Sequence, residues 1–139
     1  MTAPATEIDR AIDRSGLQPH GRPAEIVVAR DVAEVQETVR RAAASGVPVI
    51  TRGAGSGLAG GAVAGEGAIV LDLSQLNRIR AIDPVDGTAE VEAGVITADL
   101  DAAARAHGLF YAPDPGSVGI STIGGNIRSE EHTSELQSH

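Results

Sequence analysis

The sequence predicts an α+β fold that starts with a βαβ unit and continues through a β-hairpin into a second helix. Three observations predict it. Apolar runs at residues 25–29 and 48–51 flank a stretch with helical periodicity, which indicates strand, helix and strand in that order. Two alternating segments flank a turn that ends in Asp-Gly, as in a hairpin. A second stretch with helical spacing begins at Thr97.

The helix of the βαβ unit has clear boundaries in the sequence. Asp31 is a favoured N-cap residue, and Glu34 three residues later completes an acidic variant of the capping box. Gly46 is expected to end the helix, and Pro48 prevents its continuation. Apolar residues at helical spacing predict the buried face of this helix: Val32, Val35, Val39 and Ala42.

The other predicted elements are shorter. Ile8 and Ile12 are four residues apart, which predicts a short helix within residues 6–14. Residues 68–73 form an apolar run typical of a strand. The two arms of the hairpin are expected at residues 79–82 and 88–93.

The second helix is expected to have Thr97 as its N-cap and to end at Gly108. Its predicted inward side chains are small or aliphatic: Leu100, Ala103 and Ala104. Residues 112–125 are rich in Pro, Gly and Ser, and they are therefore expected to form a loop.

The composition excludes several classes of protein. The chain has 139 residues, a net charge of -8 and no Lys, so a nucleic-acid partner is not expected. It has no Cys, which excludes disulfides, thiolate metal sites and cysteine catalysis. No apolar run is long enough to span a bilayer, and residues 1–15 do not resemble a signal peptide. A cytoplasmic location is the expectation, with peripheral membrane association of a longer parent protein left open.

A glycine-rich stretch at residues 51–61 is the most informative part of the chain. It contains five glycines and one cation, Arg52, and it follows a predicted strand. Glycine allows backbone N–H groups to approach a ligand closely, and successive inward N–H groups form a nest for an anion such as phosphate. A second glycine-containing turn, of different design, lies at residues 121–126.

Other interpretations of the glycine-rich stretch remain open. It could be a flexible surface loop. Residues 55–60 fit the G-x-G-x-x-G pattern literally, but no helix is predicted after them and Asp72 is too near to be the ribose-binding acid, which disfavours a Rossmann site. A Walker A loop requires a Lys that the chain lacks.

Taken together, four segments in the same order resemble the PCMH-type FAD-binding domain of the vanillyl-alcohol oxidase and p-cresol methylhydroxylase superfamily. The matching segments are residues 48–61, 92–95, 113–117 and 120–126. The resemblance covers about residues 23–127, and it is greatest to the FAD-linked subunit of glycolate oxidase and the flavin D-lactate dehydrogenases. It implies that this chain is the incomplete N-terminal part of such a domain.

The resemblance also implies a cofactor site. Its first part would hold the FAD pyrophosphate at Gly53, Ala54, Gly55, Ser56, Gly57, Leu58, Gly60 and Gly61. Its second part would lie against the ribityl chain and the isoalloxazine ring at Pro113, Asp114, Ser121, Thr122, Gly124, Gly125 and Asn126. Arg52 would either bind phosphate or anchor the loop to a nearby carboxylate or carbonyl. No catalytic residue and no metal ligand is assigned.

The implied function is FAD binding within an oxidoreductase that oxidises a 2-hydroxy acid of the glycolate or D-lactate type. Ser56 stands where some members carry a flavin-linked His, so FAD is expected to be non-covalent. The substrate would bind through parts of the protein beyond this sequence, and other oxidase subunits are conceivable partners. Two alternatives remain, a nucleotide-binding module without redox activity and an inactive truncated fragment.

Three regions are expected along the chain: an N-terminal segment at residues 1–23, the partial FAD-binding domain at residues 24–127, and a tail at residues 128–139. The tail is polar and without periodicity, and it resembles the in-frame translation of a sequencing-library adapter. We therefore predict that the tail is artefactual and does not belong to the fold.

Overall fold

The computed structural model describes residues 7–113 and 116–129, and it contains both helices and strands, which confirms the α+β prediction. The chain divides into two units between Gln75 and Leu76, and each is described by itself below. Within the described residues, no helix has the length and apolar character of a membrane span. Residues 130–139, most of the predicted artefactual tail, lie outside the described part.

The first unit is built on a three-stranded parallel sheet. Its strands are β1 (Glu25–Val28), β2 (Val49–Arg52) and β3 (Ile69–Asp72), in the order β1-β3-β2. The predicted strand-helix-strand order is confirmed, but β3 lies between the two strands of the βαβ unit and pairs with both. All four residues of β3 are buried, as expected for a central parallel strand covered on both faces.

Helix α2 (Val32–Ser45) has the predicted ends. The side chain of Asp31 accepts a hydrogen bond from the Glu34 N–H at 2.9 Å. Glu34 in turn accepts from the Arg30 N–H at 2.7 Å, one residue earlier than in the standard capping box. Gly46 ends the helix in the left-handed conformation, with φ 66°.

The buried face of α2 matches the prediction at Ala42 but differs from it at other positions. Val32 and Val39 are 51% and 47% exposed, whereas Thr38 and Ala42 are buried. Small side chains at these two positions allow the helix backbone to approach the sheet closely. Thr38 can be buried because its hydroxyl donates to the Glu34 carbonyl at 2.8 Å, which satisfies the polar group within the helix.

The N-terminal segment contributes to the core of the first unit. Helix α1 (Glu7–Arg10) is shorter than the predicted helix, and Ala11 after it is 5% exposed. Ala11 packs with Ala64 and Val70 in a core that also includes Ile26 and Ile50. The Ala11 carbonyl accepts from the Ala64 N–H at 3.0 Å, so this carbonyl serves a loop instead of extending the helix.

The second unit begins with the predicted hairpin. Strands β4 (Ile79–Asp83) and β5 (Thr88–Val91) are antiparallel. The Asp83 carboxylate accepts from the N–H groups of Val85 and Asp86, at 2.8 and 3.1 Å, and Gly87 has φ 66°. The turn is therefore stabilised locally by the residues that predicted it.

The helices of the second unit correct two predictions. Helix α3 (Thr97–Arg105) has Ile96 at its N-cap, without a side-chain hydrogen bond, so the prediction that Thr97 is the cap was wrong. The Thr97 hydroxyl instead contacts residues near helix α4 (Ile123–Ser129). The second correction concerns the predicted loop at residues 112–125, whose last three residues belong to α4. The Thr122 hydroxyl accepts from the Gly125 N–H at 3.3 Å and so caps the start of this helix.

A buried carboxylate connects the hairpin arms. Glu92 is 7% exposed and accepts from the Arg78 side chain at 2.8 and 3.1 Å, and from the Arg78 N–H at 2.9 Å. Arg80 adds a contact at 3.3 Å. Hydrogen bonds from the Arg78 side chain and backbone, reinforced by Arg80, lower the pKa of Glu92 to about 2.

We predict that this carboxylate makes the protein sensitive to acid. Because the pKa of Glu92 is lower in the folded state than its ordinary value of 4.5, its contribution is complete above pH 4.5 and is lost as pH falls toward about 2. Glu92→Gln should therefore lower the melting temperature at neutral pH and flatten its decline between these pH values. Circular dichroism melts of both proteins across this pH range measure the effect. If the melting temperatures of the two proteins fall in parallel with pH, Glu92 is not the source of the acid sensitivity.

Candidate functional site

The glycine-rich loop lies at the carboxyl end of the parallel sheet. Residues 53–61 follow directly after β2, whose last residue, Arg52, is the register partner of Asp72 at the end of β3. Asp72 is buried and forms an ion pair with Arg10. In open α/β sheets, ligands bind outside the carboxyl ends of the strands. The loop therefore occupies the edge at which a ligand is expected.

The Arg52 side chain turns back under the loop. Its Nη1 donates to the Ile12 carbonyl at 2.5 Å, and its Nη2 is 3.4 Å from the Ala54 carbonyl. Burial lowers the pKa of Arg52, and the charge of Asp72 opposes this effect. A guanidinium retains its proton despite such a shift. Of the two roles that the sequence left open for Arg52, the contacts match the anchoring of the loop to a carbonyl.

Gly55 explains how a guanidinium fits beneath the loop. Its φ is 67°, in the left-handed region that favours glycine. A Cβ at this position would collide with the Arg52 guanidinium. Gly60, with φ 76°, is similarly close to the Leu17 side chain, which would lie 2.5 Å from an added Cβ. At both positions the left-handed backbone conformation favours glycine, and at Gly55 an added Cβ would also displace the Arg52 guanidinium.

The backbone of the loop presents its two kinds of polar group differently. The Gly57 carbonyl accepts from the Arg14 N–H at 3.0 Å, and the Gly60 carbonyl accepts from the Val63 N–H at 3.1 Å. Among the hydrogen bonds between described residues, none has a backbone N–H of residues 53–61 as its donor. The carbonyls of Gly57 and Gly60 are thus held by the protein, whereas no described residue accepts from the N–H groups of residues 53–61. This is the arrangement that an anion-binding nest requires.

The polar side chains of the second predicted segment are engaged within the second unit. Ser121 and Asn126 are each 4% exposed. Both contact the buried Thr97 hydroxyl, Ser121 through its own hydroxyl at 2.8 Å and Asn126 through its donating Nδ2 at 2.8 Å. Thr122 caps α4. The expectation that these side chains meet the cofactor stays a prediction, and each of them already has a structural partner.

The other residues of the second segment have mixed positions. An added Cβ at Gly124 would lie 2.9 Å from the Ala93 Cβ, so glycine allows α4 to pack closely there. Gly125 is exposed and Pro113 is half-buried, whereas Asp114 lies outside the described residues. The structure therefore assembles the residues of the first loop within the first unit, and those at positions 121–126 within the second.

Sequence reasoning missed the role of residues 11–14, which contact the loop and the strand before it. Three of these contacts use main-chain groups, the carbonyls of Ala11 and Ile12 and the N–H of Arg14. Every residue has such groups, so no sequence pattern could have identified them. Asp13 is the exception, since its carboxylate accepts from the Ala62 N–H at 3.3 Å.

Comparisons with known proteins identify the family of the chain. The profile of a protein family described as "FAD binding domain" matches residues 23–139. Glycolate oxidase subunit GlcD of Bacillus subtilis (strain 168) is 41% identical over 110 residues, which are 79% of this chain and 23% of that protein. D-lactate dehydrogenase of Anaerostipes hadrus is 34% identical over 115 residues, 83% of this chain and 24% of that protein.

A solved structure is similar as well. The structure of an alkyldihydroxyacetonephosphate synthase superposes with a TM-score of 0.66 and 27% sequence identity, over 73% of this chain and 21% of that one. The chain thus spans about a quarter of the length of the relatives that it matches.

We predict that Gly55→Ala destabilises the protein more than a glycine substitution in open space does. Gly67→Ala is the matched control, because Gly67 has φ 75° but no atom within 4 Å of an added Cβ. The control should lose about 1 kcal/mol of unfolding free energy, the cost of a left-handed alanine. Gly55→Ala should lose about 2 kcal/mol more, because it also displaces a charged hydrogen-bond donor.

Urea unfolding of both variants measures the difference. Equal losses for the two substitutions would show that the guanidinium does not lie beneath Gly55.

Proposed function

The chain belongs to the FAD binding domain family, and we propose that it serves a FAD-linked oxidoreductase that oxidises a 2-hydroxy acid. The membership confirms the resemblance to the PCMH-type FAD-linked oxidases. The substrate class is supported by the names of two relatives, a glycolate oxidase subunit and a D-lactate dehydrogenase, because glycolate and lactate are both 2-hydroxy acids.

The single observation that carries the proposal is the set of available N–H groups in the glycine-rich loop. A diphosphate offers several acceptor oxygens and negative charge, which suits a loop whose N–H groups have no acceptor among the described residues. We propose that the FAD pyrophosphate binds to the loop residues named from the resemblance: Gly53, Ala54, Gly55, Ser56, Gly57, Leu58, Gly60 and Gly61. Arg52 would support this loop from beneath instead of contacting phosphate.

The chemistry divides between cofactor and protein. FAD, when bound, supplies the acceptor for the hydride that leaves the α-carbon of a 2-hydroxy acid. The residues of this chain bind the cofactor and orient it, and none of them is proposed to be catalytic. The second segment would contribute mainly through its backbone, since Ser121 and Asn126 contact Thr97.

The longer protein is proposed to have partners. One relative is named as a subunit, which supports assembly with other oxidase subunits. A second candidate function, nucleotide binding without net oxidation of a substrate, is favoured by one observation. The similar solved structure is named a synthase, so the same fold also serves proteins that are not named as oxidases or dehydrogenases.

The substrate class is tested with the full-length gene product that carries this sequence. Under anaerobic conditions, glycolate or D-lactate should bleach the absorbance of the bound flavin within the time of turnover. The control is 3-hydroxypropionate, an isomer of lactate with the hydroxyl group one carbon further from the carboxylate. Bound flavin that no 2-hydroxy acid reduces would reject the oxidase proposal and favour the second candidate.

Non-covalent binding is tested on the same protein. Some members of the superfamily attach the flavin through a His of the first loop, and here that position is Ser56. A serine hydroxyl cannot form the histidyl linkage, and the chain has no Cys for the alternative one. Acid precipitation should therefore release yellow flavin into the supernatant. Flavin in the pellet on a peptide from residues 52–61 would contradict this prediction, whereas flavin on a peptide beyond residue 127 would leave it standing for this segment only.

A further inference from the structure

Residues 11–14, here called the N-terminal brace, hold four separate points around the glycine-rich loop. The Ala11 carbonyl accepts from the Ala64 N–H, and the Ile12 carbonyl accepts from Arg52. The Asp13 carboxylate accepts from the Ala62 N–H at 3.3 Å. The Arg14 N–H donates to the Gly57 carbonyl at 3.0 Å. The brace precedes residues 23–139, the part that matches the family.

A loop with so many glycines cannot hold its own shape. Each glycine brings more conformational freedom than any other residue, and the few side chains of the loop offer little packing. Leu58, for example, is 78% exposed. Contacts from outside the loop must therefore restrict it. Arg14 contacts Gly57 within the loop, and Ala11, Ile12 and Asp13 contact the residues that flank it.

Asp13 is the member of the brace that acts through its side chain. Its Oδ1 accepts from the Ser15 N–H at 2.9 Å, and its Oδ2 accepts from the Ala62 N–H at 3.3 Å. Burial would raise the pKa of Asp13, but hydrogen bonds from Ser15 and Ala62 and the charge of Arg52 together lower it. The carboxylate is thus ionised, and it connects the brace to the end of the loop.

We propose that Asp13 is a positioning residue, which holds the glycine-rich loop in the conformation that presents its N–H groups to a diphosphate. The proposal rests on the proposed function, because it takes the diphosphate of FAD as the ligand. Asp13 need not touch the ligand. It fixes the Ala62 end of the loop, while Arg14 fixes Gly57, so the residues between them are restricted at both sides.

The test compares three variants of the full-length gene product that carries this sequence. Asp13→Ala removes both acceptor oxygens, and Asp13→Asn keeps one of them. Asp31→Ala is the matched control, because it removes the N-cap acceptor of α2 in the same unit, at a position without a contact to the loop among the described residues. The probes are FAD and ADP, which share a diphosphate, and riboflavin, which has none. Dissociation constants are measured by calorimetry, and melting temperatures by circular dichroism.

We expect Asp13→Ala to raise the dissociation constants of FAD and ADP by the same factor, about tenfold, as for the loss of one charge-assisted hydrogen bond. Asp13→Asn should raise both by about threefold, because one acceptor remains. Asp31→Ala should lower the melting temperature and leave both dissociation constants as in the unaltered chain. The affinity for riboflavin should not change in any variant.

Two outcomes would overturn the positioning role while the proposed function stands. One is unaltered FAD and ADP binding in both Asp13 variants. The other is a loss of affinity that is in proportion to the fall in melting temperature and is the same for the Asp13 and Asp31 variants. Such a result would show a general loss of stability. If Asp13→Ala does not fold, the comparison of Asp13→Asn with Asp31→Ala decides. If the unaltered full-length protein binds neither FAD nor ADP, the proposed function fails, and the positioning role fails with it.

Discussion

The contact between a half-buried guanidinium and the glycine-rich loop is the constraint on which the candidate site depends. Arg52 reaches from the end of β2 to the Ile12 carbonyl, and this path is open only because Gly55 has no Cβ. The same backbone position must adopt a left-handed conformation. Sheet, loop and N-terminal segment therefore meet at the Arg52 guanidinium, which donates hydrogen bonds to protein carbonyls. The loop can then offer its own N–H groups to a ligand.

The two predicted halves of the site use polar groups in opposite ways. In the first unit, the Gly57 and Gly60 carbonyls of the loop accept from the protein, and no described residue accepts from the N–H groups of residues 53–61. In the second unit, Thr97, Ser121 and Asn126 form a buried network that satisfies their side chains internally. Buried polar groups are stable only when they are paired, so this network specifies how α3 and the start of α4 pack. Binding in the second segment would therefore fall mainly to the backbone.

Much of the fold could be predicted from local sequence. Asp31, Gly46 and the Asp-Gly turn each stabilise the structure through contacts with residues a few positions away, and each was found where the sequence indicated. The errors concern longer distances. Val39 is exposed although it lies on the predicted apolar stripe of α2, whereas the smaller Thr38 beside it is buried. Thr97 has the chemistry of an N-cap, but its hydroxyl contacts Ser121, 24 positions later.

By itself, the sequence determined the family of the chain, through four short segments in a fixed order. It also determined the position of the glycine-rich loop, because glycine spacing after a strand is a local pattern. Only the tertiary structure decided how that loop is held. The carbonyls of Ala11 and Ile12 and the N–H of Arg14 act through main-chain atoms that every residue possesses. Their effect depends on the position to which the fold brings them. The direction of the Arg52 side chain is decided in the same way, because a guanidinium can serve a phosphate or a carbonyl equally well until the surrounding atoms are in place.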